Sequence, residues 1–150
     1  MNAQARTQPK PEERIMAAIA HGSIIGGMMG LPVAAIIWVT QKEKSPYVGF
    51  QALQALAYQL AGTLGTLLCW ACWGGCYFLS FIPIVAAPEQ YSDAPPPLFF
   101  VSLASMLIPM ALMGLWWLYG LIAAALTLTG RDFRYLFLGR QLERYLATRG

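Results

Sequence analysis

Hydrophobic and polar positions follow one another along this chain in long blocks. Charged side chains occupy four short islands, at 6–14, 42–44, 89–93 and 131–149, and the stretches between them, 15–41, 45–88 and 94–130, contain no Asp, Glu, Lys or Arg. Each stretch exceeds the roughly 20 apolar residues that cross a hydrocarbon core of about 30 Å. An all-α integral membrane protein is therefore expected, because a helix satisfies its backbone polar groups internally where no water is present. Residues 1–11 read as a disordered polar leader, 12–130 as the helical membrane domain and 131–150 as a basic amphipathic tail.

Within the membrane domain, punctuation by glycine, proline and polar residues divides the blocks. The first segment, 12–41, starts with Pro11, Glu12 and Glu13, a suitable helix N-terminus, and is interrupted by Gly30-Leu31-Pro32, where the proline disfavours a straight helix. It is read either as re-entrant or as a third span. Gly22, Gly26 and Gly30 recur at a spacing of four and are expected to share one small-residue face for close helix packing. The stretch 45–88 is too long for a single crossing, since some 40 helical residues reach about 60 Å. Gln51, Gln54 and Gln59 make 47–60 amphipathic and interfacial in this reading, leaving 61–82 as the first clear span. Pro83, Pro88 and Pro95-Pro96-Pro97 mark an extramembrane loop. The second clear span is 98–129, with a kink expected at Pro109.

Composition agrees with this pattern: 57% of the residues are hydrophobic and 11% charged, against roughly 45–50% and 25% in soluble proteins. Orientation follows from the ten basic residues, because loops rich in Lys and Arg stay cytoplasmic. If 15–41 enters and returns at the Gly30–Pro32 break, all ten lie on one side and only loop 86–97 on the other. This arrangement is preferred, with both termini at the cytoplasmic face of a bacterial inner membrane. In the tail, 133–147 is expected to form a surface helix on anionic lipid through Arg134, Arg140 and Arg144.

Candidate chemistry is sparse. His21 is the one histidine, and an ionisable group inside a membrane is a functional candidate, as a pigment or haem ligand or a proton relay. The competing reading, a neutral histidine bonded between helices, is preferred because a second histidine partner is missing. Cys69, Cys72 and Cys76 share a helix face but suit packing better than a zinc site, which takes four ligands. The sequence offers no paired carboxylates, no Ser-His-Asp set and no phosphate-binding glycine loop. A non-enzymatic protein without a cofactor, metal or nucleic-acid partner is expected, acting as an accessory or assembly subunit beside other membrane proteins. The alternatives are a pore or protein-translocation component and a haem- or pigment-binding subunit using His21.

Several short blocks carry a family resemblance. They are Glu13-Arg14 with Ala20-His21, Pro32 with Ile36-Ile37-Trp38, Lys42-Glu43-Lys44-Ser45-Pro46-Tyr47-Val48, Gln54-Ala55-Leu56, and Gly130 with Phe133-Arg134-Tyr135. Together they resemble a bacterial membrane-protein family of unknown function, itself distantly similar to the channel-associated, Tic-type subunit of the chloroplast inner-envelope import translocon. Gln51, where a His often stands, and Leu136, where a Pro usually does, depart from that pattern. The resemblance implies a helical membrane fold and no catalytic residues.

Overall fold

The computed structural model describes residues 8–136, 138, 139, 141 and 142. Among them the regular structure is helical throughout. Three helical stretches, Pro11–Gln41, Pro46–Ala86 and Pro97–Leu128, are long and apolar enough to cross a membrane. The chain forms two compact units, one made of 1–62 with 117–150 and the other of 63–116.

In the first unit, α1 (Pro11–Gly22) opens with Pro11 in its first turn, and the Lys10 N–H donates to Glu13 Oε2 at 2.7 Å, so the acidic first turn caps the helix. The helix ends at residue 22. A 3₁₀ turn, Ser23–Met29, follows, and Gly27 within it takes φ 55°, a conformation that favours glycine. Then α2 (Gly30–Gln41) runs back along α1. Ser45 Oγ, four residues past α2, donates to Glu13 Oε1 at 2.7 Å, so the start of α1 and the end of α2 lie together. The first hydrophobic segment is thus a helical hairpin. Each arm of 12 residues is about 18 Å long.

The hairpin rests on α3 (Pro46–Leu79), a single helix of 34 residues. Ala20, Ala34, Ala52 and Ala55 form the contact, flanked by Ile37, Trp38 and Leu56. Small side chains here let three helices approach closely, the packing that apolar surroundings favour. The helix runs unbroken through residue 60, and Gln51, Gln54 and Gln59, expected on a polar outer face, are all three buried within the protein. They turn inward because the adjoining hairpin and the chain after α6 supply polar groups for them to bond.

Helix α6 (Leu107–Leu128) ends in a Schellman motif, in which Gly130 at φ 83° donates to Thr127 O and Arg131 N–H to Leu126 O. Residues 131–135 then run without helical structure. This corrects the expected surface helix at its first residues, because Phe133 and Tyr135 pack inward onto α1 and α3 instead of onto lipid. Leu138, Gly139, Gln141 and Leu142 are helical, as expected of the tail, whereas Arg140, Arg144 and the residues after 142, like most of the leader, fall outside the described residues.

The second unit contains the later part of α3, α4 (Ile82–Ala86), a 3₁₀ turn at Pro88–Tyr91 and α5 (Pro97–Ala104). Trp73 donates from Nε1 to Ser102 O at 3.0 Å, and Tyr77, Phe81 and Phe99 meet edge to face or tilted. The helix between 97 and 128 breaks at Ser105–Met106, just before Pro109. Proline there occupies the third position of α6, where its missing N–H leaves Ser105 O to accept from Ile108 instead.

Candidate functional site

The most elaborate polar arrangement lies in the first unit, where the segment after α6 crosses the ends of α1 and α3. We term residues 131–135 the strap. Gln51, Gln54 and Tyr58 recur at helical spacing on α3, and His21 projects from the last turn of α1. His21 is 1% exposed and both glutamines 0%. Such groups demand partners, since an unpaired buried amide or imidazole costs about 1–3 kcal/mol.

The strap supplies them. Gln51 Nε2 donates to Asp132 Oδ1 and to the Phe133 carbonyl, each at 3.1 Å. Its Oε1 is therefore the atom facing His21, and the ring answers by donating from Nε2 at 3.1 Å. Nδ1 is then the acceptor, and it receives the Tyr135 hydroxyl at 3.0 Å. Burial, then the neighbouring Tyr58 and Tyr119 phenols, push the Tyr135 phenol well above its usual range, so the hydrogen needed for this bond stays in place. The protein thus uses both nitrogens of a neutral imidazole.

Gln54 grips the strap backbone with both ends of its amide: Nε2 donates to Phe133 O, and Oε1 accepts from Tyr135 N–H, both at 3.2 Å. The Tyr135 ring stacks on Tyr58 at 4.1 Å between centroids, with Tyr119 against its edge. Phe133 meets His21 edge to face. Outward of these, Arg134 pairs with Asp132 at 2.9 Å and lies over the Phe50 ring.

A second polar centre closes the hairpin. Gln59 Nε2 donates to Ala20 O at 2.9 Å and to Ser23 Oγ at 3.0 Å, and the Ser23 hydroxyl shares its one hydrogen between Ala20 O and Gly30 O. The Ala20 carbonyl, released where α1 stops, is thereby satisfied.

The three glycines separate. Because the helix breaks at residue 23, Gly22, Gly26 and Gly30 do not share a face. A Cβ on Gly22 would touch Ala124 Cβ of α6 at 3.8 Å, whereas Gly26 is exposed, with only Met29 Cβ at that distance. Gly30 is confined: its Cβ would stand 2.1 Å from the Ser23 carbonyl oxygen. The glycine that α6 contributes is Gly120, against which the buried Ile24 packs.

Of the residues singled out from sequence, then, His21 is a bonded interior histidine, Arg134 is an ion-paired residue of the strap, and Arg140 and Arg144 lie outside the described residues. Tyr58, Gly120 and Tyr135 were not singled out as site residues. The available signal was the 51, 54, 58 periodicity on a face otherwise built of alanine. Cys69, Cys72 and Cys76 are free thiols, and among the described residues no three His, Cys, Asp or Glu side chains gather as metal ligands.

A search of curated proteins and one of solved structures return no match. One family model does match, and it differs from the expected import-translocon relation, which receives no support. It covers the hairpin, α3, α6 and the strap, from residue 12 to residue 142, and on that match the chain belongs to the magnetosome magnetite crystal formation protein family.

Proposed function

We propose that this chain serves magnetite crystal formation as a non-enzymatic, multi-pass accessory subunit of the membrane in which the crystal grows. The observation that carries the reading is the family match over residues 12–142. The non-enzymatic part is supported by where the buried polar groups spend their hydrogen bonds. His21, Gln51, Gln54 and Gln59 fasten the hairpin, α3 and the strap to one another.

In this reading the hairpin re-enters without crossing, since an arm of about 18 Å falls short of a hydrocarbon core of about 30 Å. Its 3₁₀ turn is held by Ser23 and Gln59, as non-helical backbone at membrane depth requires. The basic islands then lie on the cytoplasmic side of a membrane derived from the bacterial inner membrane, and the loop 86–97 on the other. The exposed apolar faces meet lipid and neighbouring membrane proteins.

Deleting the gene in a magnetite-forming bacterium tests the function. Crystals of altered size, number or shape by electron microscopy, restored by the wild-type gene, are expected. Crystals indistinguishable from the parent's overturn the proposal.

A further inference from the structure

Beside the hairpin and strap networks the first unit has an apolar groove of about 600 Å³ between α1, α2 and the end of α6. Ile15, Ala18, Ile19 and Gly22 line it from α1 at helical spacing, with Val33 from α2 and Leu128 from α6. We propose that this groove binds one anionic phospholipid, an acyl chain in the groove and the phosphate at its mouth.

The chemistry of the walls argues for a hydrocarbon chain. The one polar side chain among the lining residues is Ser23. Its one hydroxyl hydrogen is shared between Ala20 O and Gly30 O, and its oxygen accepts from Gln59 Nε2. Nothing in the groove therefore seeks a hydrogen bond. Its depth comes from two small residues, Ala18 and Gly22, beside half-exposed Ile15, Ile19 and Leu128. The volume is too small for a partner helix: with side chains a helix is about 10–12 Å across, and 600 Å³ accommodates roughly one turn of it. A flexible chain fits such a space and gains from every buried methylene.

Charge at the mouth argues for the headgroup. The groove begins at Ile15 and Leu128, where the start of α1 meets the end of α6. Arg14 joins those ends, its guanidinium lying over Gly130, where a Cβ would stand 2.8 Å away. Lys10, four residues before Arg14, and Arg131, next to Gly130, are both exposed. Two of the acids close by are already engaged: Glu13 binds the Lys10 N–H and Ser45, and Asp132 binds Gln51 and Arg134. The third, Glu12, is exposed in the first turn of α1. Arg14 bonds only neutral oxygens, Pro9 O and Gln8 Oε1, and keeps its charge. Lys10, Arg14 and Arg131 therefore outnumber the two carboxylates outside the Asp132–Arg134 pair, Glu12 and Glu13, and this net positive charge favours a phosphodiester with net negative charge over a zwitterionic one.

The test uses the full chain, purified in detergent, stripped of lipid and offered phosphatidylglycerol or phosphatidylcholine in mixed micelles, with retained lipid counted by native mass spectrometry. The parent is expected to keep about one phosphatidylglycerol per chain and several-fold less phosphatidylcholine. Ala18→Phe, which fills the groove, should lose both. Lys10→Gln combined with Arg131→Gln alters exposed positions only, and it should lower phosphatidylglycerol retention to the phosphatidylcholine level. Equal retention of the two lipids by the parent, or undiminished phosphatidylglycerol retention by the double glutamine variant, overturns the proposal.

Discussion

Tyr135 donates its phenolic hydrogen to Nδ1 of His21 across 3.0 Å, joining residues 114 positions apart in sequence. The bond closes the strap onto α1, and it is sealed by the stack of Tyr135 on Tyr58. Tyr135→Phe keeps the stack and removes the hydrogen, leaving the imidazole acceptor unpaired. A loss of about 1–2 kcal/mol is expected, read as a lower midpoint of thermal unfolding in detergent. In a double-mutant cycle, His21→Ala and Tyr135→Phe should prove non-additive. Additive losses would show that the two side chains do not share a bond.

The same tyrosine gives a prediction in alkali. Its phenol is raised above the ordinary 10.0 by burial, and then by Tyr58 and Tyr119. A folded value above the unfolded one means that the contribution to stability is complete below pH about 10 and is lost as pH climbs above it. Tyrosinate absorbance titrated near pH 10 should therefore be the same in the parent and in Tyr135→Phe. A titration missing one tyrosine's amplitude in the variant would place the Tyr135 ring in water.

Glycine substitutions should divide sharply by position. Gly30→Ala puts a methyl 2.1 Å from the Ser23 carbonyl oxygen, a backbone atom that cannot swing aside. The cost should reach or exceed the upper end of the roughly 1–3 kcal/mol typical of overpacking. Gly26→Ala faces open space apart from Met29 and should leave the amount of folded protein unchanged. Equal accumulation of both variants would mean that the turn at Ser23–Met29 is not built this way.

Cysteine labelling distinguishes the hairpin's membrane placement. Lys44 and Ser92 are both exposed, which makes them better probes than Ser45, whose hydroxyl is bonded to Glu13. With the native cysteines replaced by serine, Lys44→Cys should react from the cytoplasmic side and Ser92→Cys from the opposite one. Reaction of Lys44→Cys from the same side as Ser92→Cys would show that the first segment crosses completely.

The sequence by itself determined the helical class and the three long apolar stretches, because charge is excluded from hydrocarbon and its spacing along the chain is a direct record of that exclusion. The break in the first segment was also legible, although it was attached to Gly30–Pro32, whereas the turn lies at Ser23–Met29 with positive φ at Gly27. The expected glycine face followed from assuming an unbroken helix, and it fails once residues 23–29 turn. For Gln51, Gln54 and Gln59 the pattern was visible and its meaning was not. A glutamine in an apolar run satisfies its amide either at the membrane surface or against another part of the protein. Only the tertiary structure decided between these, by bringing the strap, some 80 residues later in sequence, and the α1 carbonyls within hydrogen-bonding distance. His21 shows the same division. Its interior, bonded character could be weighed from sequence, but its partners Gln51 and Tyr135 are neighbours in space through the Gly130 cap, which directs the chain back over α1 and α3.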